Sequence, residues 1–224
     1  MKFTPRCVLF DLDGTLVDSA PDLGGTANQI RAELDLPPLP IGLYRPHASH
    51  GVRGILHVAL QMSPDHPDFA AQREHYLAIY RARLSRDSRL FAQVPALLDR
   101  LDAAGIRWGV VTNKPGWLAQ PVMDDLGLSA RSACLVSGET AARPKPAADP
   151  LLYACDQIGI PPDQCIYVGD DIRDIQSARA ASMPALVAGW GYLGSDTPPQ
   201  EWGADLILEQ PSDLLQHIEL RYAA

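Results

Sequence analysis

A short apolar stretch near the N-terminus, residues 7–10, ends directly in two carboxylates, Asp11 and Asp13, followed by Gly14. A run of hydrophobic side chains without alternation is typical of a strand buried on both faces in a parallel sheet. Ligands of open α/β sheets bind beyond the carboxyl ends of the strands, where these aspartates would lie. Gly14 lets backbone N–H groups turn towards an anion at that edge. Because two neighbouring carboxylates repel each other, the pair predicts a site that holds a cation or a proton.

Strand and helix patterns alternate in the second half of the chain, from Val94 onward. Buried-strand patterns occupy residues 108–113, 134–137, 165–170, 185–188 and 204–208. Amphipathic helical patterns separate these stretches. This alternation implies a parallel sheet that is covered by helices on both faces and joined by right-handed crossovers. We therefore predict an α/β protein with a Rossmann-like, doubly wound parallel sheet.

Residues 17–88 interrupt the alternation and contain no strand pattern. A helix start is expected at residues 18–21, with a capping side chain and a proline in the first turn. Apolar residues then recur at helical spacing in three stretches, 23–34, 52–62 and 69–84. We therefore predict a small all-helical domain, residues 17–88, inserted into a core formed by residues 1–16 and 89–224.

Composition excludes several classes of partner. The formal net charge of -8 disfavours nucleic acid and an anionic membrane surface, because both attract basic proteins. No apolar run is long enough to span a membrane, and the first strand starts too early to leave room for a signal peptide. The four cysteines are scattered without metal-binding spacing and are expected to be buried free thiols. These features predict a cytoplasmic protein.

Three later polar stretches lie at or near the ends of predicted strands. Thr112 and Asn113 follow the second strand of the core, and Lys145 stands between two prolines that restrict its backbone. Three carboxylates crowd the end of another strand, at Asp170, Asp171 and Asp174. Clustered oxygen ligands without histidine or cysteine suit Mg²⁺, so the sequence predicts a magnesium site at this edge.

Taken in order, residues 11–15, Thr112-Asn113, Lys145 and residues 169–174 resemble the four motifs of the haloacid dehalogenase superfamily of phosphohydrolases. The resemblance extends over the whole predicted core. It implies a Mg²⁺-dependent phosphatase that forms an aspartyl-phosphate, and therefore an enzyme that acts on a small phosphorylated metabolite.

The resemblance also implies catalytic roles for individual residues. Asp11 would be the nucleophile, and Asp13 would protonate the leaving group and then accept a proton from water. Thr112 and Asn113 would hold the transferring phosphoryl group. Lys145 would bind the same group and offset its charge, which otherwise repels an attacking carboxylate.

The metal site is implied in the same way. Asp11 and Asp170 would supply carboxylate ligands, and Asp13 would contribute its backbone carbonyl. Asp171 is expected to assist as a ligand or to lie just behind the ligands. Asp174 is expected to orient its neighbours.

The helical insert lies where the superfamily places a small α-helical cap of the C1 type, which closes over the core and excludes water. Arg53, near the start of the second predicted helix, is the expected cap contact with the substrate, because its planar guanidinium offers several donors. The neighbouring His47 and His50 are expected to have ordinary surface or capping roles.

Within the superfamily the core is most similar to the phosphoglycolate phosphatase branch. The similarity to N-acetylmuramate 6-phosphate phosphatases, which serve bacterial cell-wall recycling, is carried by residues 108–115, 169–175 and 202–205. The expected substrate is therefore N-acetylmuramic acid 6-phosphate, with 2-phosphoglycolate as the alternative. Both compounds carry a carboxylate besides the phosphate, which suits an arginine in the cap.

Three other functions share parts of this pattern. A dehalogenase of the same fold needs no metal and no second acid, which the presence of Asp13, Asp170 and Asp171 argues against. A phosphomutase uses the same motifs and stays open as an alternative. A non-enzymatic phospho-accepting module, such as a receiver domain, is much shorter and lacks the helical insert. The oligomeric state does not follow from the sequence.

Overall fold

Six parallel strands form the central sheet of the protein, which the computed structural model describes over residues 2–194 and 196–220. The strands of the chain are β1 (Cys7–Phe10), β2 (Val17–Asp18), β3 (Arg89–Leu90), β4 (Arg107–Val111), β5 (Leu135–Val136), β6 (Cys165–Gly169), β7 (Ala185–Ala188) and β8 (Leu206–Leu208). The central sheet has the order β5-β4-β1-β6-β7-β8. Its parallel pairing confirms the predicted α/β fold with a doubly wound sheet.

Strand β1 is buried on both faces, which explains its continuous run of apolar residues. Val8 and Phe10 pack into one hydrophobic cluster, and Cys7 and Leu9 pack into another on the opposite face of the sheet. All four side chains are inaccessible to solvent. Because β4 and β6 flank β1 on either side, the polar residues that follow these three strands meet at one edge.

Helices cover the sheet and also form a separate layer. They are α1 (Ala20–Glu33), α2 (Arg45–Ala48), α3 (Gly51–Leu60), α4 (Phe69–Arg83), α5 (Val94–Ala103), α6 (Gly116–Asp125), α7 (Asp149–Ile158), α8 (Ile172–Ala180) and α9 (Leu214–His217). Helices α1 to α4 lie between β2 and β3 in the chain and share a hydrophobic cluster that includes Leu23, Ile55, Tyr76 and Tyr80. The helical patterns of residues 17–88 therefore correspond to real helices, and their shared cluster also takes in Leu118 and Tyr192 from the rest of the chain.

The sequence interpretation missed a strand pair at the base of these helices. Val17 pairs with Leu90, and Asp18 pairs with Arg89, in an antiparallel ladder of two residues per strand. The expectation that residues 17–88 contain no strand was therefore wrong for Val17 and Asp18. Strands this short have no hydrophobic period, and the pairing depends on two segments that are distant in the chain.

The start of α1 also differs from expectation. The helix begins at Ala20, but no side chain at residues 18–21 caps it. Instead, the backbone N–H groups of Ser19 and Ala20 donate hydrogen bonds to the hydroxyl oxygen of Tyr192, at 2.8 Å and 2.9 Å. A tertiary contact thus satisfies donors that a local cap usually satisfies.

The cysteines are buried and unbridged, as predicted. Burial is the main cause that raises the pKa of the Cys134 thiol, to about 11, so this thiol stays protonated at neutral pH. Across residues 2–194 and 196–220, none of the helices combines the length and the apolar character that crossing a membrane requires.

Candidate active site

The polar ends of β1, β4 and β6 line one cavity of about 490 Å³. Asp11 and Asp13 follow β1, Thr112 follows β4, and Asp171 follows β6 by two residues. Helices α3 and α4 form the opposite wall. The structure therefore brings the predicted residues of the core together beneath the helical layer.

Lys145 is the buried cation of this site. Its ammonium group donates hydrogen bonds to Asp11 Oδ1 at 2.9 Å, Asp174 Oδ1 at 2.6 Å and the hydroxyl oxygen of Tyr167 at 2.8 Å. Burial alone would lower the pKa of Lys145, but the Asp11 and Asp174 carboxylates more than offset this effect and raise it. Lys145 is therefore a fixed positive charge beside Asp11.

Asn113 holds the backbone of Lys145 in place. Its side-chain amide donates to the Lys145 carbonyl at 2.9 Å, and its carbonyl oxygen accepts from the Lys145 N–H at 3.0 Å. The neighbouring Thr112 Oγ1 accepts from the backbone N–H of Lys114 at 3.1 Å, which leaves the Thr112 hydroxyl proton available to another acceptor. Both residues lie on the cavity wall, as expected from the sequence.

Asp170 is completely buried. Its carboxylate accepts hydrogen bonds from Thr15 Oγ1 at 2.8 Å and from the backbone N–H of Tyr192 at 3.0 Å. Gly14 and Gly191 press against it, since a Cβ atom added to either would lie 2.1 Å or 2.2 Å from an Asp170 atom. The backbone at Gly14 and Gly191 therefore packs directly against the Asp170 side chain, where a larger residue would not fit.

The carboxylates of Asp11, Asp170 and Asp174 suit a divalent cation. One oxygen from each lies within 4.8 Å of the other two. Burial, followed by the charges of Asp11 and Asp174, raises the pKa of Asp170 well above its ordinary value. Lys145 alone does not neutralise three carboxylates, and hard oxygen donors are those that Mg²⁺ prefers, so the residues present fit this ion.

Asp171 and Asp174 have different surroundings. Asp171 caps α8 by accepting from the backbone N–H of Arg173 at 2.9 Å, and its carboxylate also binds the Arg173 guanidinium at 2.7 Å. Asp174 Oδ2 accepts from the Asp171 N–H at 3.0 Å, which completes a capping box. Burial, with the charges of Asp11 and Asp171, raises the pKa of Asp174 to about 6. Asp174 thus belongs to the carboxylate triad, whereas the side chain of Asp171 is engaged by Arg173.

Asp13 has a partner that the sequence interpretation did not single out. The Lys114 ammonium donates to Asp13 Oδ1 at 3.2 Å and Oδ2 at 3.0 Å, and to the hydroxyl oxygen of Tyr80 at 2.9 Å. Burial would lower the pKa of Lys114, but Asp13 and Tyr80 together raise it. Because Tyr80 belongs to α4, this lysine connects the helical layer to the end of β1. The position of Lys114, directly after Thr112 and Asn113, was the available signal.

Arg53 lies on the α3 side of the cavity and is exposed to solvent. Within residues 2–194 and 196–220 it makes no ion pair or hydrogen bond, so its guanidinium is available to a ligand. His50 lines the same wall, and burial is the main cause that lowers its pKa. Arg173 of the core donates to the Ser49 carbonyl at 2.6 Å and so links this corner of the helical layer to the core.

The parallel sheet, the buried Lys145 ammonium beside Asp11 and the neighbouring carboxylates of Asp170 and Asp174 are the features of an α/β protein that hydrolyses phosphoric esters. The comparison with protein families agrees with this class. A family model described as haloacid dehalogenase-like hydrolase matches residues 8–188. The chain therefore belongs to the haloacid dehalogenase-like hydrolases.

Related proteins are named as phosphatases. The chain is 48% identical over 217 residues to a phosphoglycolate phosphatase of Xanthomonas campestris pv. campestris strain 8004, with 96% of each chain covered. It is 39% identical over 214 residues to an N-acetylmuramic acid 6-phosphate phosphatase of Pseudomonas aeruginosa, with 96% of this chain and 95% of the relative covered. These relatives and the family confirm the predicted phosphatase activity and both resemblances stated from the sequence.

A solved structure shares the fold. The crystal structure of a predicted phosphoglycolate phosphatase from Haemophilus somnus 129pt superposes with a TM-score of 0.82 at 28% identity. The match covers 95% of this chain and 97% of that one. The sheet and the helical layer therefore form an arrangement that this family uses elsewhere.

Proposed function

We propose that the protein is a Mg²⁺-dependent phosphomonoesterase that works through an aspartyl-phosphate on Asp11. The observation that carries this proposal is the position of Asp11, 2.9 Å from the buried Lys145 ammonium and within the triad with Asp170 and Asp174. In this proposal residues 17–88 act as a cap over a core of residues 1–16 and 89–224.

The first half of the reaction transfers the phosphoryl group to Asp11. A carboxylate oxygen of Asp11 attacks phosphorus, and the bond between phosphorus and the ester oxygen breaks. Lys145, the Thr112 hydroxyl and backbone N–H groups near Asn113 bind the phosphoryl oxygens and offset their charge. Asp13 gives its proton to the departing alkoxide.

The second half releases phosphate. A water molecule attacks phosphorus of the aspartyl-phosphate, Asp13 accepts a proton from this water, and the bond to Asp11 breaks. Asp11, Asp170 and the backbone carbonyl of Asp13 would hold Mg²⁺, which when bound would supply positive charge to offset that of the phosphoryl group. Asp174 orients Lys145, and Asp171 orients Arg173 at the rim of the cavity.

The proposed substrate is N-acetylmuramic acid 6-phosphate. A cavity of about 490 Å³ is large for a two-carbon leaving group and lies within the range of about 300–1,000 Å³ that suits larger organic ligands. Arg53 supplies an unpaired guanidinium for the second anionic group of this substrate. The Pseudomonas aeruginosa relative carries this substrate in its name.

The second candidate is 2-phosphoglycolate. The higher identity to the Xanthomonas campestris phosphoglycolate phosphatase favours this compound. It also carries a carboxylate that Arg53 can bind. A cytoplasmic location is part of either proposal, and the unbridged cysteines support it.

The test of the mechanism is Asp11→Asn, which keeps the shape of the side chain and removes its charge. We expect a loss of Mg²⁺-dependent turnover of at least about a thousandfold, with a normal melting curve, because no nucleophile remains. Asp156→Asn, on the exposed face of α7, is the matched control. Substantial turnover by Asp11→Asn, together with wild-type activity that resists chelators, would contradict the mechanism.

The test of the substrate compares kcat/KM for the two candidate compounds on the wild type and on Arg53→Ala. We expect the wild type to prefer the amino-sugar phosphate, and Arg53→Ala to lower kcat/KM for both compounds, because both carry a carboxylate that Arg53 binds. An unchanged kcat/KM in the variant would show that Arg53 does not contact the substrate. A preference of the wild type for 2-phosphoglycolate of tenfold or more, about 1.4 kcal/mol in transition-state binding, would select the second candidate instead.

A further inference from the structure

Two side chains that the mechanism does not use line the cavity from different helices. Trp117 lies in the first turn of α6 in the core, and Arg73 lies on α4 in the helical layer. Phe69 and Leu77, also on α4, line the cavity beside Arg73. The cleft between α6 and α4 therefore combines an aromatic wall, an apolar wall and a cation.

Trp117 is 47% exposed, although it is a large aromatic residue. Among the large hydrophobic side chains of the described residues that are at least 40% exposed, Trp117 is the one that lines the cavity. Its position is set by the start of α6, where the Gly116 N–H donates to Glu139 Oε1 at 2.8 Å. Because core packing leaves much of the indole uncovered, its surface is available to a ligand.

Arg73 differs from the lysines of the site. Lys114 is paired with Asp13, and Lys145 with Asp11. In the part of the chain that the structure describes, Arg73 makes no ion pair or hydrogen bond. An unpaired guanidinium on the wall of a binding cavity is available to an anionic group of the ligand, and it recognises a carboxylate by two parallel hydrogen bonds.

We propose that Trp117 and Arg73 form a leaving-group subsite that selects a pyranose ring carrying a carboxylate. This inference rests on the proposed phosphatase function. The indole covers the apolar face of the sugar ring, Phe69 and Leu77 exclude water on the other side, and the Arg73 guanidinium binds the carboxylate together with Arg53. Both parts of the protein thus select the substrate. The core contributes residues from α6, and the helical layer contributes residues from α3 and α4.

The role of Trp117 is tested with Trp117→Ala and Trp117→Phe. We expect Trp117→Ala to lower kcat/KM for N-acetylmuramic acid 6-phosphate at least tenfold, mainly through KM, while turnover of acetyl phosphate falls less than threefold. We expect Trp117→Phe to retain most of the wild-type kcat/KM for this substrate, because phenylalanine keeps an aromatic face. Tyr153→Ala, an exposed aromatic position on α7 outside the cavity, is the matched control.

The role of Arg73 is tested with two sugar phosphates that differ in the carboxylate. We expect Arg73→Met to lower kcat/KM at least tenfold for N-acetylmuramic acid 6-phosphate and less than twofold for N-acetylglucosamine 6-phosphate, which lacks the carboxylate. Arg81→Met, an exposed arginine on the same helix outside the cavity, is the control.

The proposed subsite is contradicted if Trp117→Ala lowers kcat/KM equally for all substrates. It is also contradicted if Arg73→Met lowers kcat/KM equally for both sugar phosphates. A wild type that hydrolyses 2-phosphoglycolate but not the sugar phosphates contradicts it as well. Failure of the phosphatase function itself is a separate result, namely no Mg²⁺-dependent turnover of any compound, acetyl phosphate included. Melting curves of each variant show whether a loss comes from unfolding.

Discussion

At the scale of single residues, the charges of the site are each held by more than one partner. Lys145 contacts Asp11, Asp174 and Tyr167, and Asp170 receives hydrogen bonds from Thr15 and the backbone of Tyr192. A charged group that is removed from water is tolerated only when such partners replace the solvent. The same contacts hold each charge in one position, which electrostatic catalysis requires.

The role of Asp13 can be tested by comparing substrates with different leaving groups. Asp13→Asn cannot donate a proton, so we expect a loss of about a hundredfold or more on an alkyl phosphate. An aryl phosphate needs little protonation of its leaving group, so its loss in the phosphoryl-transfer step should be at least tenfold smaller. Single-turnover rates for both compounds provide the measurement, and equal losses would indicate a purely structural role.

Lys114 is expected to position Asp13 through the two contacts between them. Lys114→Met should lower kcat at least tenfold with little change in KM, because Asp13 loses a fixed partner while the phosphate contacts stay in place. The variant also leaves the buried Tyr80 hydroxyl without its donor, at a cost of about 1–3 kcal/mol in the free energy of unfolding. Tyr80→Phe is the control, since it keeps the contact between Lys114 and Asp13. An unchanged kcat in Lys114→Met would contradict this role.

At the scale of elements, the helical layer is attached to the sheet by contacts between distant segments. The pair β2 and β3 joins the two chain segments that lead into and out of α1 to α4. Tyr192, which follows β7, reaches the N-terminus of α1, and Arg173 of α8 binds the carbonyl of Ser49. These contacts determine where the cavity walls stand relative to Asp11.

Removing the Tyr192 hydroxyl should therefore loosen the start of α1. Its oxygen accepts from Ser19 and Ala20 and donates to Asp18 Oδ1 at 3.2 Å. We expect Tyr192→Phe to reduce the free energy of unfolding by about 1–3 kcal/mol, because two helix N–H groups lose their acceptor in a buried location. Urea denaturation measures the effect, with the exposed Tyr153→Phe as control. A change within error of zero would show that solvent replaces the hydroxyl.

At the scale of the whole molecule, cation binding and stability are coupled through the buried carboxylates. Mg²⁺ at a hundredfold excess over its dissociation constant should stabilise the fold by about 2.7 kcal/mol. For a chain of this size that corresponds to an increase of about 5–10 °C in Tm. Asp170→Asn should remove this increase, because the side chain no longer offers the cation a carboxylate. Calorimetry with and without Mg²⁺ is the measurement, and an equal Mg²⁺ response in both proteins would exclude Asp170 as a ligand.

Several features of the protein could be predicted from local sequence. The buried character of β1, the alternation of strands and helices, and the helices between β2 and β3 all follow from the spacing of apolar residues. The family follows from the motifs, because strands that lie side by side bring residues such as Asp11, Thr112 and Asp170 to one edge of the sheet. For these features, a periodic pattern or a known sheet geometry determines the outcome.

Other features were decided only by the tertiary structure. The contact of Lys114 with Asp13 and Tyr80, the capping of α1 by Tyr192, and the exposure of Trp117 to the cavity each depend on residues that are far apart in the chain. The sequence around a residue does not specify which distant residue its side chain contacts after folding. Its partner is set by how helices pack on the sheet and by the need to satisfy buried polar groups, and both are properties of the folded chain.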